Sequence, residues 1–165
     1  MHPRAAEFKA RVEAEYDLAI EIREFPGGAE SAADAARAIG CEPARIASSL
    51  VFRASGIVVA VASGATRMSE AKLTAARGVS EDEVGMASPE SVRETIGWSI
   101  GGVPPFAHDR EEPVYVDETL EEFAEVWAAA GTPQAVFPIA PADIRVLAGA
   151  ESIEVAESPT DGESS

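Results

Sequence analysis

The chain has 165 residues, a length typical of one domain with an ordinary hydrophobic core. Its formal net charge is −16, from 13 basic and 29 acidic side chains, so we expect no DNA partner. Cys41 is the only cysteine, which excludes a disulfide within these residues and indicates a reducing, cytoplasmic location. We expect neither a signal peptide nor a membrane span, because the longest apolar run, residues 57–62, has the length of a strand.

The charge is distributed unevenly along the chain. Residues 1–110 carry a net charge of −4, whereas residues 111–165, with 1 basic and 13 acidic groups, carry −12. A polyanionic partner is therefore expected to meet the first two thirds of the chain. Only 2 of the basic residues are lysines, and an acidic, lysine-poor composition is typical of a halophile, because molar salt shortens the Debye length to about 3 Å. The alternative is an acidic protein of ordinary cells.

The first 63 residues predict two helices and three strands. Apolar residues recur every four positions over residues 3–16, which indicates a helix. Residues 18–22 alternate as a half-buried strand does, and residues 26–28 predict a turn. Ser31 caps a second helix that Gly40 ends. Residues 46–53 and 57–63 predict a hairpin whose second strand is covered on both faces.

The remaining residues mix helices and strands in the same way. The predicted elements are a helix at 69–77, a strand at 84–87, a helix at 88–97, a strand at 114–116, a short helix at 118–123, paired strands at 125–129 and 135–139, a helix at 141–147 and an edge strand at 152–155. This mixture predicts an α+β or mixed α/β fold, with one domain over residues 1–155 and a disordered acidic tail over residues 156–165.

The loop from Trp98 to Phe106 is the most distinctive stretch. Gly101 and Gly102 allow a close approach of the backbone, because neither carries a Cβ atom. Pro104 and Pro105 then fix φ and remove two N–H donors. A stiff loop with bare N–H groups at one end suits an ester or a carboxylate held by main-chain donors. The alternative is a tight apolar connection between a helix and a strand.

Five stretches in register resemble the YbaK/ProX family of aminoacyl-tRNA deacylases. Ile46-Ala47-Ser48-Ser49-Leu50-Val51-Phe52 is similar to the family's I-x-K-S-L-V-F strand, and the loop at 101–106 is similar to its G-G-V-x-P-F loop. The segments at 62–73, 87–90 and 113–117 match further parts of the family pattern. The resemblance implies a compact domain with a curved, partly barrel-like mixed sheet surrounded by helices.

The resemblance also implies an activity and a set of partners. The family members hydrolyse the ester bond of mischarged aminoacyl-tRNA in trans, which implies a small amino acid, such as alanine or cysteine, on tRNA(Pro) or a related tRNA. The expected partners are the tRNA acceptor end and an aminoacyl-tRNA synthetase, and no cofactor is implied. The two histidines and one cysteine show no metal-ligand spacing.

Ser48 stands where the family has a lysine. A lysine there would supply a point charge or a base, whereas a serine supplies an uncharged hydroxyl. We interpret Ser48 as a hydroxyl that lines the pocket; a solvent-facing strand residue and a nucleophile remain as alternatives. The change also leaves open a second function, a binding module that keeps the pocket without the chemistry.

The other predicted site residues surround this strand and the glycine loop. Gly101 and Gly102 are expected to stabilise the oxyanion through their N–H groups, with Ser48 beside them. Lys72 could replace the missing charge, and His108 could act as a base near neutral pH, although ordinary surface roles are the alternative for both. The residues expected to contact substrate are Ile46, Leu50, Val103, Pro104, Pro105, Phe106, Lys72, His108 and Gly131.

Overall fold

The structure is a computed structural model that describes residues 1–25 and 31–157. Within these ranges no helix is long and apolar enough to cross a bilayer. The α-helices are α1 (Pro3–Tyr16), α2 (Ala32–Ile39), α3 (Glu70–Arg77), α4 (Pro89–Thr95) and α5 (Pro141–Ala148). The strands are β1 (Arg23–Glu24), β2 (Ile46–Ala54), β3 (Ile57–Ser63), β4 (Val84–Met86), β5 (Val114–Asp117), β6 (Val126–Ala129), β7 (Ala135–Ile139) and β8 (Glu151–Ile153).

Most predicted elements are confirmed within a residue or two, because their start and stop signals act locally. The side chains of Ser31, Ser69 and Ser88 each accept a hydrogen bond from the backbone N–H three residues later and so begin α2, α3 and α4. Gly40 ends α2 with φ +87°, a conformation that favours glycine. The predicted short helix at 118–123 is a 3-10 helix, Glu118–Glu122.

The predicted strand at 18–22 is wrong. Ile20 is buried as the alternation requires, but pairing begins only at Arg23, which lies opposite Val136 of β7. Alternation indicates which side of a chain faces the core, whereas a strand also needs a neighbour in register. The predicted turn at 26–28 and all but the first two residues of the predicted tail lie outside the described residues.

The sheet confirms the predicted mixed α/β class. Its strand order is β1-β7-β6-β2-β3-β5-β8, with β4 attached to β2 beside this path. The β2–β3, β6–β7, β1–β7 and β2–β4 pairs are antiparallel, and the β2–β6, β3–β5 and β5–β8 pairs are parallel. Hairpins supply two of the four antiparallel pairs, β2–β3 and β6–β7, and crossover connections supply all three parallel pairs, as expected for such a mixture.

Strand β2 is the branch point of the sheet. One edge of β2 pairs with β3 from Ala47 to Arg53. The other edge pairs with β6 only at Ile46 and Ala47, and with β4 only from Phe52 to Ala54. The middle of this edge, residues 48–51, therefore has no neighbouring strand within the described part of the chain.

The main core lies between the sheet and α1. Phe8 is fully buried at its centre, and its ring lies 5.7 Å from that of Trp98 and 5.2 Å from that of Phe137. A second cluster covers the opposite face of β3, where Leu73 of α3 packs. Strand β3 is thus covered on both faces, which confirms the expectation from its continuous apolar sequence.

Asp117, a fully buried carboxylate, holds the C-terminal segment against the sheet. One of its oxygens accepts the backbone N–H groups of Val155, at 2.8 Å, and Ala156, at 2.9 Å. The other oxygen accepts hydrogen bonds from the N–H and hydroxyl of Thr119. Glu157 also donates its N–H to the carbonyl of Arg67. Ala156 and Glu157, the first two residues of the predicted tail, thus bond to the rest of the domain, and the disordered tail stays a prediction.

We expect Asp117→Ala to destabilise the fold by about 2–4 kcal/mol, because it leaves buried N–H donors without an acceptor. The measurement is urea unfolding at equilibrium. Glu118→Ala, at the exposed neighbouring position, is the matched control and should change the free energy of unfolding by no more than about 0.5 kcal/mol. Similar losses in the two variants would contradict a structural role for Asp117.

Candidate functional site

A cavity of about 270 Å³ lies beside the free edge of β2. It is bounded by β2 on one side, by the ends of β4 and β6, and by α2 and two loops. Its lining residues are Phe25, Ser31, Ala32, Ala35, Ile46, Ala47, Ser48, Ser49, Leu50, Val51, Met86, Ile100, Gly101, Val103, Ala129, Thr132, Pro133, Ala135 and Val136. The cavity is therefore a consequence of the branched sheet.

The described lining is apolar apart from hydroxyl and main-chain groups, and it contains no charged side chain. Two of the hydroxyls already serve the backbone, since Ser31 caps α2 and Thr132 accepts the N–H of Gln134. The described residues also contain no group of three or more histidine, cysteine, aspartate or glutamate side chains that could hold a metal ion.

Ser48 lines this cavity together with Ile46 and Leu50. Side chains alternate along a strand, so these three share one face of β2 and Ser49 projects from the other. The Oγ atom of Ser49 is buried and, alone among buried side-chain polar atoms of the described residues, has no hydrogen-bond partner. At the position where the resemblance implies a lysine, the described lining of this cavity thus has a serine hydroxyl and no cation.

The N–H groups of the two glycines in the loop at 101–106 differ in their hydrogen bonds, and the predicted oxyanion role of both groups stays a prediction. Residues 99–102 form a turn in which Gly102 donates its N–H to the carbonyl of Ser99 at 3.0 Å, so that N–H is not available to a substrate. Gly101 has φ +91° and lines the cavity, and its N–H has no acceptor within the described part of the protein. Gly102 does not line the cavity.

Gly102 instead lets this loop pack against the β6–β7 loop. A Cβ atom at Gly102 would lie 2.5 Å from the Cα atom of Thr132, far inside contact distance. Gly131 makes a second close approach, because a Cβ atom there would lie 2.7 Å from the Trp98 ring. Gly131 therefore positions the wall and does not line the cavity itself.

The prolines and Phe106 lie behind the cavity wall. Val103 reaches the lining, whereas Pro104, Pro105 and Phe106 are buried outside it. Phe106 packs in the core, with its ring 5.1 Å from that of Tyr16, whose hydroxyl accepts the N–H of Ala107. These three residues hold the loop from the side of the core, and the expectation that they contact substrate stays a prediction.

Lys72 and His108 also lie outside the cavity lining. The ammonium of Lys72 pairs with Glu154 at 2.6 Å and donates to the carbonyl of Ala156, so it ties α3 to the C-terminal segment. The Nε2 atom of His108 lies 2.7 Å from the carbonyl oxygen of Pro104. Burial lowers the pKa of His108, although the hydrogen bond to Pro104 opposes this shift.

Several cavity residues were not predicted as site residues. Ala32 and Ala35 belong to the face of α2 that lines the cavity, and their small size lets α2 approach the sheet. A Cβ atom added to Gly64 would lie 2.3 Å from the Cβ atom of Ala32, which shows how close this approach is. Met86 and Ile100 carry no sequence signal beyond being apolar next to turns.

We expect Gly102→Ala to cost about 2–3 kcal/mol of stability, because its methyl group would overlap the backbone of Thr132. Gly56→Ala is the matched control. Gly56 has φ +103° but open space around it, so that substitution carries only the backbone strain of about 1 kcal/mol. The measurement is equilibrium unfolding of both variants, and a smaller loss in Gly102→Ala than in Gly56→Ala would contradict the packing described above.

Stability should fall as the pH drops below about 6.5, the pKa of an unfolded histidine. The folded state holds the pKa of His108 below that value, so the unfolded state binds the proton first. The loss is limited to about 1.4 kcal/mol per pH unit, since one proton is involved. Unfolding followed from pH 7.5 to 5.5 should show this slope, His108→Gln should remove it, and His2→Gln should keep it. An unchanged slope in His108→Gln would contradict the assignment.

The segments that form the cavity lie within the part of the chain that matches a known family. The model of the aminoacyl-tRNA editing domain matches residues 27–147, which include β2, the glycine loop and the β6–β7 loop. The chain is 34% identical over 128 residues to YwhH, an uncharacterized protein of Bacillus subtilis, with 75% of this chain and 78% of YwhH covered.

Two further relatives carry a provisional description of function. EbsC of Enterococcus faecalis, provisionally named a Cys-tRNA(Pro)/Cys-tRNA(Cys) deacylase, is 28% identical over 127 residues, which cover 76% of each chain. A crystal structure provisionally described as a trans-editing enzyme for prolyl tRNA synthetase superposes with a TM-score of 0.88 at 36% identity, over 96% of this chain and 99% of that one. The chain therefore belongs to the aminoacyl-tRNA editing domain family.

Proposed function

We propose that the protein hydrolyses the ester bond of a mischarged aminoacyl-tRNA in trans and removes a small amino acid. The observation that carries this proposal is the cavity beside β2. Its volume of about 270 Å³ is slightly below the usual range for ligand pockets, and its described lining has no charged side chain. Such a cavity suits a small uncharged side chain next to an ester. Alanine or cysteine on tRNA(Pro) or a related tRNA is the substrate that the family resemblance favours.

The chemistry needs few protein groups. Water attacks the ester carbonyl carbon, the carbonyl oxygen becomes an oxyanion, and the ribose oxygen leaves with a proton as the bond breaks. The N–H of Gly101 points to main-chain stabilisation of that oxyanion, and losing one such donor typically costs about 10²–10³ in rate. The free hydroxyl of the terminal ribose lies beside the ester and can assist, so a protein base at Ser48 is not required.

The acceptor end of the tRNA is the proposed point of contact. Met86 and Ile100 both line the cavity and are exposed by about half, at 53% and 49%. An apolar rim of this kind can pack against the terminal adenosine. With a net charge of −16, the chain gains little from phosphate contacts, so recognition of the acceptor end fits its composition better than recognition of the tRNA body. An aminoacyl-tRNA synthetase that delivers the substrate remains part of the proposal.

Ser48 favours a second candidate function. A domain that keeps the cavity and loses the family lysine could bind the aminoacyl end without hydrolysing it. The two candidates differ in one measurement, the release of amino acid from a panel of mischarged tRNAs. The acidic, lysine-poor composition led to the proposal of a halophilic protein, which would fold fully only at high salt. The assay is therefore run across a potassium chloride series up to about 3 M.

We expect Ser48→Lys to maintain or raise the deacylation rate, because the strand geometry around the family lysine is kept. Ser48→Ala should cost less than about tenfold, since a hydroxyl without an adjacent base contributes little. Ser80→Lys adds the same charge at an exposed serine outside the cavity lining and is the matched control. A loss of about 10³-fold or more in a folded Ser48→Ala variant would show that the serine itself acts in catalysis. Absence of release from every tRNA would support the binding module instead.

A further inference from the structure

The free edge of β2 presents main-chain groups to the cavity. The ladder between β2 and β6 ends at Ala47, and the ladder between β2 and β4 begins at Phe52. Ser49 lies midway between them and lines the cavity, with Ala129 from the end of β6 and Met86 from the end of β4 on either side of the gap. The position of a missing strand is thus occupied by the cavity.

The hairpin fixes which main-chain groups of β2 point into the gap. Gly64 donates its N–H to the carbonyl of Ile46, and Ala54 donates its N–H to the carbonyl of Gly56. In an antiparallel pair such bonds recur at every second residue, so the even-numbered residues of β2 bond to β3. The N–H and C=O of Ser49 both point the other way, into the gap. Consistent with this pattern, Val51 directs its carbonyl to that side, where it accepts the N–H of Ala87 at 3.0 Å.

Ser49 therefore offers one donor and one acceptor, side by side, with no strand partner among the described residues. A ladder position left open in a protein interior is costly unless water or a ligand completes it. Because the described lining contains no charged side chain, these two main-chain groups are among the few fixed polar groups that a ligand in the cavity can reach.

We propose that the unpaired main-chain N–H and C=O groups of Ser49, called the open rung below, bind the aminoacyl group of the substrate as if it were one residue of a missing antiparallel strand. This inference rests on the proposed function and names the contacts within it. An aminoacyl ester carries an ammonium group and a carbonyl group on either side of one Cα atom, the same arrangement as a residue in a strand. The N–H of Ser49 donates to the ester carbonyl oxygen, and the carbonyl of Ser49 accepts a hydrogen bond from the ammonium group.

The described lining of the cavity contains no carboxylate, and this pairing explains how the cavity can nevertheless hold an ammonium group. A hydrogen bond from a charged donor to a main-chain carbonyl is stronger than a neutral one, and no counter-ion is needed. It also places a second main-chain donor, besides Gly101, at the ester carbonyl. Recognition then depends on the α-amino group of the substrate and not only on the size of its side chain.

Hydrogen exchange of the ligand-free protein, followed by NMR, tests the open rung directly. The amide of Ser49 should exchange much faster than those of Ser48 and Leu50, which bond to β3 on the same strand and serve as internal controls. Equally slow exchange at all three residues would show that the rung is closed and would overturn the proposal, whatever the enzyme hydrolyses.

A pair of non-hydrolysable ligands tests the contacts. Adenosine that carries alanine through a 3′-amide keeps both the ammonium and the carbonyl group, and the matching propionyl compound differs only in lacking the amine. The alanyl compound should slow exchange at Ser49, and the propionyl compound should bind at least about tenfold more weakly, the worth of one charge-assisted hydrogen bond. Ser49→Pro, which removes the N–H without removing a bond to β3, should weaken binding of the alanyl compound if the variant folds.

The outcomes separate this inference from the function on which it rests. Deacylation of mischarged tRNA, or a shift of the Met86 and Ile100 resonances by the alanyl compound, would show that the cavity is used. If the alanyl and propionyl compounds then bind equally and exchange at Ser49 is unaffected, the open rung is not part of that use. If neither compound binds and no tRNA is deacylated, the proposed function fails and this inference fails with it.

Discussion

The geometry of a β-strand edge limits how β2 can be shared. An edge has room for one neighbour at each position, and here β6 occupies one end of an edge while β4 occupies the other. Since β6 runs parallel and β4 antiparallel to β2, neither continues into the other, and residues 48–51 stay uncovered between them. The cavity, its main-chain lining and its position at the centre of the sheet all follow from this branching.

The opposite wall of the cavity depends on an aromatic core. The loop that carries Gly101 is held at both ends by buried rings, since Trp98 and Phe106 pack around Phe8 of α1. The indole N–H of Trp98 donates to the carbonyl of Ala107, which closes the loop upon itself. The turn at residues 99–102, with its left-handed glycine, would be flexible in isolation. The contacts of Trp98 and Phe106 with the core fix its position relative to β2. The helix at the start of the chain thus determines the shape of a cavity that it does not touch.

Charged side chains lie apart from the cavity in the described part of this molecule. The chain carries a formal net charge of −16, yet the described cavity lining carries no charged side chain. Charged groups such as Lys72, Arg77 and Asp117 join α3, the hairpin and the C-terminal segment to the sheet. The described groups that the cavity offers are therefore hydroxyl groups, main-chain groups and apolar side chains, and high salt would weaken their contacts little.

By itself the sequence determined the elements whose signals are local: the serine caps, the glycine ends, the hairpin at 54–56 and the mixed class of the fold. It also indicated the two stretches that line the cavity, because their resemblance to a family runs along the chain in register. It could not decide which groups face the cavity. The prediction of a strand at 18–22 was wrong because alternation of apolar residues does not show whether a neighbouring strand is present. Gly102 is distinguished from Gly101 by the turn that binds its N–H and by its contact with the backbone of Thr132.

Only the tertiary structure placed Lys72 and His108 away from the cavity and brought Met86, Thr132 and the edge of β2 together around it. The physical reason is that strand pairing and loop packing join residues far apart in sequence, and the choice among them depends on which edges remain free. Ser48 and Ser49 illustrate the limit: adjacent in the sequence, they are the same residue type, and the register with β3 alone directs the main-chain groups of Ser49 into the cavity.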